Sequence, residues 1–176
     1  MRHIKFAGII TARKNSVRVK NKNLILINKK PLLEYSLIAL KKSKKIKNRF
    51  ITSDCDKMLQ LGKRNKINLI KRPANLASSL TTSEDTLLHA IQVIIHRFKL
   101  MPENIIFIQP TSPLLKSNDL DMAINKFIKT KADSLFSSYK AKFFIWKKIN
   151  NNYKSYTFNS KKRQSTKKFK EQVVEN

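Results

Sequence analysis

Residues 12–23 bring together Arg13, Lys14, Arg18, Lys20 and Lys22 with the hydroxyl of Ser16 and the amides of Asn15, Asn21 and Asn23. Guanidinium and ammonium groups make charge-assisted hydrogen bonds to phosphate oxygens, so this set suits a polyphosphate. The same composition fits a solvated basic loop, and the residues alone leave both readings open. Thr52, Ser53 and Asp54 form a second polar group, and Gln109, Thr111 and Ser112, interleaved with Pro110 and Pro113, form a third.

Other reactive residue types carry less. His89 and His96 are seven positions apart, about 10 Å along a helix axis, too far to share a metal ion. They read as ordinary helix-face residues. Asp119 and Asp121 stand at the start of a helical pattern, where carboxylates complement the helix dipole. Cys55 is the single cysteine; it has no neighbouring histidine or second cysteine to activate it and it excludes an intrachain disulfide. That usage fits a reducing compartment, and the cytoplasm is the expected location.

These residues need elements to hold them. Residues 4–12 read as a buried strand, and Pro31 is placed to open a helix with Leu33, Leu37 and Leu40 on one face. Short strands are expected over 49–53 and 67–71, with a helix over 57–66 between them. Thr82 and Asp85 form a capping-box-like pair ahead of Leu87, Leu88, Ile91, Ile94, Ile95 and Phe98, a wide apolar stripe. A strand follows over 104–109, Ser117 is read as the cap of a helix carrying Leu120, Ala123, Ile124, Phe127 and Ile128, and residues 133–138 read as a further strand. Alternation of this kind predicts a three-layer α/β fold around a mostly parallel, Rossmann-like sheet, with ligands beyond the carboxyl ends of the strands. The three polar groups fall on the loops that this rule selects, 12–23, 52–56 and 109–116. Residues 1–139 are thus expected to form one α/β core, and residues 140–176 a β-rich excursion, with strands over 143–149 and 153–158 around Asn150, Asn151 and Asn152.

The formal net charge of +27 comes from 38 basic against 11 acidic residues. Such a charge invites a polyanion reading. Only eight of the basic residues are arginine and the chain is crowded with Asn and Ile, the pattern an A+T-rich genome imposes on a solvated lysine surface. Phe143, Phe144 and Trp146 among Lys140, Lys142, Lys147 and Lys148 equally suit one face of a strand. No nucleic-acid-binding motif accompanies the charge, so nucleic acid is not an expected partner. No apolar run approaches the ~20 residues that span a bilayer, and no membrane segment is expected.

The sequence resembles the acylneuraminate cytidylyltransferases, enzymes that activate sialic-acid-like nonulosonic acids. Arg13, Ser16, Arg18, Lys22 and Asn23 match the first loop of that family. Lys30, Pro31, Leu32 and Tyr35, then Thr52, Ser53 and Asp54, then Arg72, Pro73, Leu76 and Ala77 follow in order. Gln109, Pro110, Thr111, Ser112, Pro113 and Leu114 with Asp119, Leu120 and Asp121 form the most specific stretch, and Ala132, Asp133, Ser134, Arg163, Gln164, Glu175 and Asn176 extend the likeness. It covers nearly the whole chain.

The resemblance implies a fold of the nucleotide-diphospho-sugar transferase type and transfer of CMP from CTP to a nonulosonic acid for surface glycan biosynthesis, with release of pyrophosphate. It implies Arg13 and Lys22 as the phosphate ligands that carry catalysis, with Ser16, Arg18 and Asn23 completing the triphosphate loop. It places Arg72 and Gln109 at the nucleotide and Gln109, Thr111 and Ser112 at the sugar. A homodimer and Mg2+ are likewise implied. Departures are Asn15 at the usual loop glycine, Val17 at the usual lysine, and Leu115 at the usual arginine, with Lys116 beside it. The family carries its metal-binding aspartates in a portion corresponding to positions beyond Asn176, so none is expected within this chain and appreciable CMP transfer by the chain as given is not expected. The competing reading is a catalytically inactive remnant or a polyanion-binding protein.

Overall fold

The structure is a computed structural model, and it describes residues 1–14, 16, 19–78, 80–169 and 172–175. The chain divides into two compact units, Met1–Lys131 and Ala132–Asn176, a division that falls ahead of residue 139, where the sequence alternation was read as ending.

The first unit opens with β1, Arg2–Ala12. A short hairpin, β2 (Leu26–Ile27) and β3 (Lys30–Pro31), turns through Asn28 and Lys29, both at positive φ. Asparagine visits that region more readily than most residues. The helix α1, Leu32–Lys42, starts one residue after Pro31, and β4 (Asn48–Ser53), α2 (Asp56–Arg64) and β5 (Asn68–Lys71) follow. Next come α3, Ser83–Phe98, then β6, Leu100–Ile108, then α4, Ser117–Thr130. The strands form one sheet in the order β5-β4-β1-β6, and every pairing is parallel.

Burial explains the layering. Ile10 and Ala12 of β1 and Ile51 of β4 pack with Leu33, Leu37 and Leu40 of α1, Met58 of α2 and Ile124 of α4. On the other side Ala7 and Ile9 of β1, Phe50 of β4 and Ile70 of β5 pack with Ala90 and Ile94 of α3. Because both faces are covered, β1 carries apolar residues at successive positions, with no alternation. The Phe50 and Phe98 rings meet edge to face at 5.2 Å, which fixes the end of α3 against the sheet. No helix among the described residues is long and apolar enough to cross a membrane.

Three local expectations are corrected. Lys116, not Ser117, is the N-cap of α4, because the Asp119 carboxylate accepts the Lys116 backbone N–H at 2.8 Å and Ser117 is already helical. Residues 133–137 form no strand: they have no ladder partner, and the strand begins at β7, Ser138–Ala141, where β10 (Gln172–Glu175) pairs with it antiparallel. Within 143–158 only β8 (Trp146–Ile149) and β9 (Asn152–Ser155) are paired, around a turn with Asn150 at φ 53°. Phe144 of the second unit meets Phe158 and Phe169 edge to face, and the Arg163 guanidinium lies 4.1 Å over the Phe144 ring.

Asp121 ties α4 to the turn after α1. Its carboxylate accepts the Ser43 hydroxyl at 2.6 Å, the Lys44 amide at 3.0 Å and the Lys45 amide at 3.1 Å. Burial works to raise its pKa, but the Ser43 hydroxyl, the two amides and the Lys45 charge outweigh it and hold the carboxyl below its ordinary value. A depressed carboxyl contributes stability that is present above the unfolded value of about 3.9 and is lost as pH falls through the folded one. Asp121→Ala is expected to cost about 1–2 kcal/mol at neutral pH. Thermal melts should show this loss shrinking as the buffer is acidified below the usual carboxylate range; an unchanged gap would mean that the carboxylate does not contribute as an anion.

Candidate functional site

The carboxyl ends of β1, β4, β5 and β6 lie side by side, since Ala12 pairs with Ser53, Ser53 with Lys71 and Ile10 with Ile108. The three loops picked out by the sequence therefore leave one edge of the sheet together. A cavity of about 530 Å³ opens there, lined by Arg13, Ser16, Lys22 and Asn23 from the first loop, Arg72 after β5, and Gln109, Pro110 and Thr111 after β6.

Each side chain is held by something specific. Arg13 Nη1 donates to the Ser78 carbonyl at 2.8 Å, which spans the cavity from the first loop to the segment before α3. Asn23 is 5% exposed and its Nδ2 donates to the Arg13 carbonyl at 3.1 Å. It therefore fixes the backbone that carries Arg13, a bracing role more than a direct phosphate contact. The Asp54 carboxylate accepts the Lys14 amide at 2.9 Å and anchors the other side of the loop.

Arg72 is 5% exposed, an unusual state for arginine. Its Nη2 donates to the carbonyls of Ala12 and Thr52 at 3.1 and 2.9 Å. Burial lowers the guanidinium pKa from its ordinary value, Asp54 opposes that, and Arg13 adds to it. One guanidinium thus clamps the ends of β1 and β4 while also facing the cavity.

Of the residues singled out from the sequence, Arg13, Ser16, Lys22, Asn23, Arg72, Gln109 and Thr111 are brought together. Ser112 is not: its carbonyl closes a turn with the Leu115 amide at 3.1 Å, and its side chain does not line the cavity. Arg18, with Asn15 and Val17, lies outside the described residues. Sequence reasoning missed the opposite wall, Ser78, Thr81, Thr82, Ser83 and Thr86, together with Thr11 and Phe107 on the strands. The signal was the run of hydroxyls from 78 to 83, of which only the Thr82 cap had been used.

Among the described residues the lining of the cavity carries no carboxylate. Asp54 is occupied by the Lys14 amide, Asp119 by the Lys116 amide and Asp121 by the turn after α1. Among the described residues no group of three His, Cys, Asp or Glu side chains could hold a metal.

A parallel sheet with helices on both faces and a basic cavity beyond its strand ends defines an α/β fold of the nucleotide-diphospho-sugar transferase type. Within that class the chain belongs to the cytidylyltransferase family, whose model matches residues 7–175. It is 27% identical over 123 residues to the N-acylneuraminate cytidylyltransferase of Escherichia coli O18:K1:H7, covering 70% of this chain and 28% of that protein. It is 30% identical over 134 residues to the post-translational flagellin modification protein B of Campylobacter coli, covering 76% of this chain and 57% of that one. A solved structure of CMP:2-keto-3-deoxy-manno-octonic acid synthetase complexed with CTP superposes with a TM-score of 0.59 at 18% identity, over 73% of this chain and 49% of the other. The chain thus spans about a quarter to somewhat over a half of the lengths of these relatives.

Proposed function

We propose that the chain binds CTP and serves the transfer of CMP to a sialic-acid-like nonulosonic acid for surface glycan biosynthesis. The observation that carries this reading is the meeting of Arg13, Ser16, Lys22, Arg72 and Gln109 around one cavity at the carboxyl edge of the sheet. Membership of the cytidylyltransferase family and the likeness to an N-acylneuraminate cytidylyltransferase supply the substrate class.

In this reaction the anomeric hydroxyl oxygen of the sugar acid forms a bond to the α-phosphorus of CTP, the bond from that phosphorus to the bridging oxygen breaks, and pyrophosphate leaves. No protein nucleophile is needed. The chain's part is alignment and neutralisation of charge on the phosphate oxygens. Arg13 and Lys22 supply the cations and Ser16 a hydroxyl donor, with Arg18 completing the loop. Asn23 and Asp54 hold the backbone on which Arg13 and Lys14 sit. Arg72 and Gln109 serve the nucleoside end in this reading, and Gln109 and Thr111 the sugar end. The same reading includes Mg2+ and a homodimer, which rest on the family resemblance, and a cytoplasmic location, which rests on the single cysteine.

Thermal shift with CTP, ATP, GTP and UTP tests the binding step. A ligand at 100 times its Kd stabilises the folded state by about 2.7 kcal/mol, so CTP should raise the melting temperature by several degrees and the other nucleotides by less. Equal shifts for all four would defeat the reading, and light scattering would decide the dimer.

A further inference from the structure

Four buried side-chain polar atoms among the described residues have no hydrogen-bond partner in the protein, and three of them are Thr52 Oγ1, Arg72 Nε and His89 Nδ1. They come from β4, from the loop after β5, and from α3. Thr52 is 0% exposed and shares a face of β4 with Phe50, which packs against α3. Arg72 is bonded to the Thr52 carbonyl, so its guanidinium lies at the same strand end. Thr86, one turn before His89 on α3, lines the cavity beside Arg72 and bonds back to the Thr82 carbonyl at 3.2 Å. Arg72 and the first turns of α3 thus border the same cavity.

A buried polar atom without a partner has given up its bonds to water with nothing in return. Arg72 meets Thr52 at the end of β4, and His89 is near enough for the Arg72 charge to act on it, so the three orphaned atoms call for a common partner. Their chemistry is complementary to water: Arg72 Nε is a donor only, neutral imidazole offers an acceptor at Nδ1, and the threonine hydroxyl serves as either. A buried water typically makes about three hydrogen bonds of this kind.

We infer that Thr52, Arg72 and His89 form the seat of one buried water molecule that locks the Arg72 guanidinium in place, with His89 as a positioning residue for the nucleotide site. The water accepts from Arg72 Nε–H, donates to His89 Nδ1 and shares its remaining bond with Thr52 Oγ1. Arg72 is then fixed on both sides, by two strand carbonyls at Nη2 and by the water at Nε. His89 touches no ligand; it acts through Arg72. The role in nucleotide binding rests on the proposed CTP reading, whereas the seat does not.

Protonation should dismantle the seat, because Nδ1 then turns from acceptor to donor and places a cation beside Arg72. Burial, and then the Arg72 charge, lower the His89 pKa below its ordinary value. Asp54 and Arg13 act on Arg72 from the neighbouring loops, and Asp85 of α3 is engaged by Thr82. The neutral form, and hence the seat, is thus present at neutral pH and is lost as pH falls below the usual histidine range.

The test compares wild type, His89→Leu and His89→Gln. In 15N–1H spectra that resolve arginine side chains, the Arg72 Nε–H of wild type should exchange slowly with solvent at pH 7.5 and faster as His89 titrates. His89→Leu should lose that protection, and His89→Gln, whose amide oxygen accepts, should retain most of it. Isothermal titration with CTP should show affinity about tenfold weaker for His89→Leu, largely restored in His89→Gln, and a loss of the wild-type acid dependence. Arg72 Nε–H protection that is the same in wild type and His89→Leu, in protein shown by circular dichroism to be folded, overturns the inference whatever CTP does. Protection that depends on His89 in a protein that fails to bind CTP upholds the seat and refutes the nucleotide reading instead.

Discussion

Gly8→Val is expected to leave little folded protein, although valine suits strands better than glycine does. Gly8 sits in the middle of β1, paired with Arg49 of β4 on one side and Ile106 of β6 on the other. A Cβ there would lie 2.5 Å from Leu40 Cδ1 and 2.9 Å from Ile46 Cγ2. Both neighbours are 0% exposed, in the core between the sheet and α1. Neither has open space to move into, so α1 must lift from the sheet or β1 must buckle. Added methylenes in a packed core cost about 1–3 kcal/mol. Valine adds a branched side chain where even one carbon collides, so a cost at or above the top of that range is expected. Set against a total stability of about 5–15 kcal/mol, that is a large share. Differential scanning calorimetry should place Gly8→Ala roughly 5 °C below wild type and Gly8→Val at least 10 °C below, or in the insoluble fraction. Lys5→Val, at an exposed position of the same strand, serves as the control and should change stability little. A Gly8→Val protein that melts with wild type would mean that α1 does not pack on β1 as described.

The alternation of elements in the first unit was legible because hydrophobic periodicity carries it. A strand covered on both faces shows as a continuous apolar run, as in β1, and α3 announced itself through a wide apolar stripe behind Thr82 and Asp85, which form a true capping box. Boundaries were less legible where side chains disguise them. The strand β6 begins at Leu100, four residues before the expected start, because Pro102 and Glu103 look unlike strand residues. Proline is tolerated there since β6 pairs only with β1 among the described residues, leaving the other edge without a ladder. The helix α4 hid its cap because the Asp119 carboxylate, not a Ser117 hydroxyl, satisfies the first turn.

For the site, the legible half was the part whose residues stand together in sequence at a strand end. Arg13, Ser16, Lys22 and Asn23 needed only one loop, and Gln109 and Thr111 only another. The other half depends on packing between distant elements. His89 had been set aside as a helix-face residue, and no spacing rule links it to Arg72 or Thr52, which lie 17 and 37 positions earlier in the chain. Asn23 reads as part of the triphosphate loop and Asp54 as part of a second polar group, yet both use their side chains to hold the first loop through backbone contacts. Composition identifies groups that suit phosphate; it does not say which of them are spent on the loop itself.

Arg13→Ala and Lys22→Ala are each expected to weaken CTP binding by roughly 10- to 100-fold, while Lys44→Ala and Lys161→Ala leave it within about twofold. A charge-assisted hydrogen bond contributes about 1.5–3 kcal/mol, and 1.4 kcal/mol is a tenfold change in affinity. Arg13 and Lys22 line the cavity. The exposed side chains of Lys44 and Lys161 do not, and a lysine on a solvated face contributes little. Arg13 should show the larger loss. Its guanidinium reaches across to the Ser78 carbonyl, so alanine removes both a phosphate ligand and the tie between the first loop and the wall before α3. Lys22 has no comparable tie among the described residues, and its loss should resemble removal of one cation. Raising ionic strength separates specific contacts from the general field of a chain with net charge +27, because screening weakens attraction from distant lysines more than a direct pair in a cavity. Isothermal titration of the four variants at 50 mM and 300 mM NaCl should keep the ranking at both salts. Equal affinities for all four at the higher salt would mean that CTP is held by overall charge and that the first loop is not the triphosphate site.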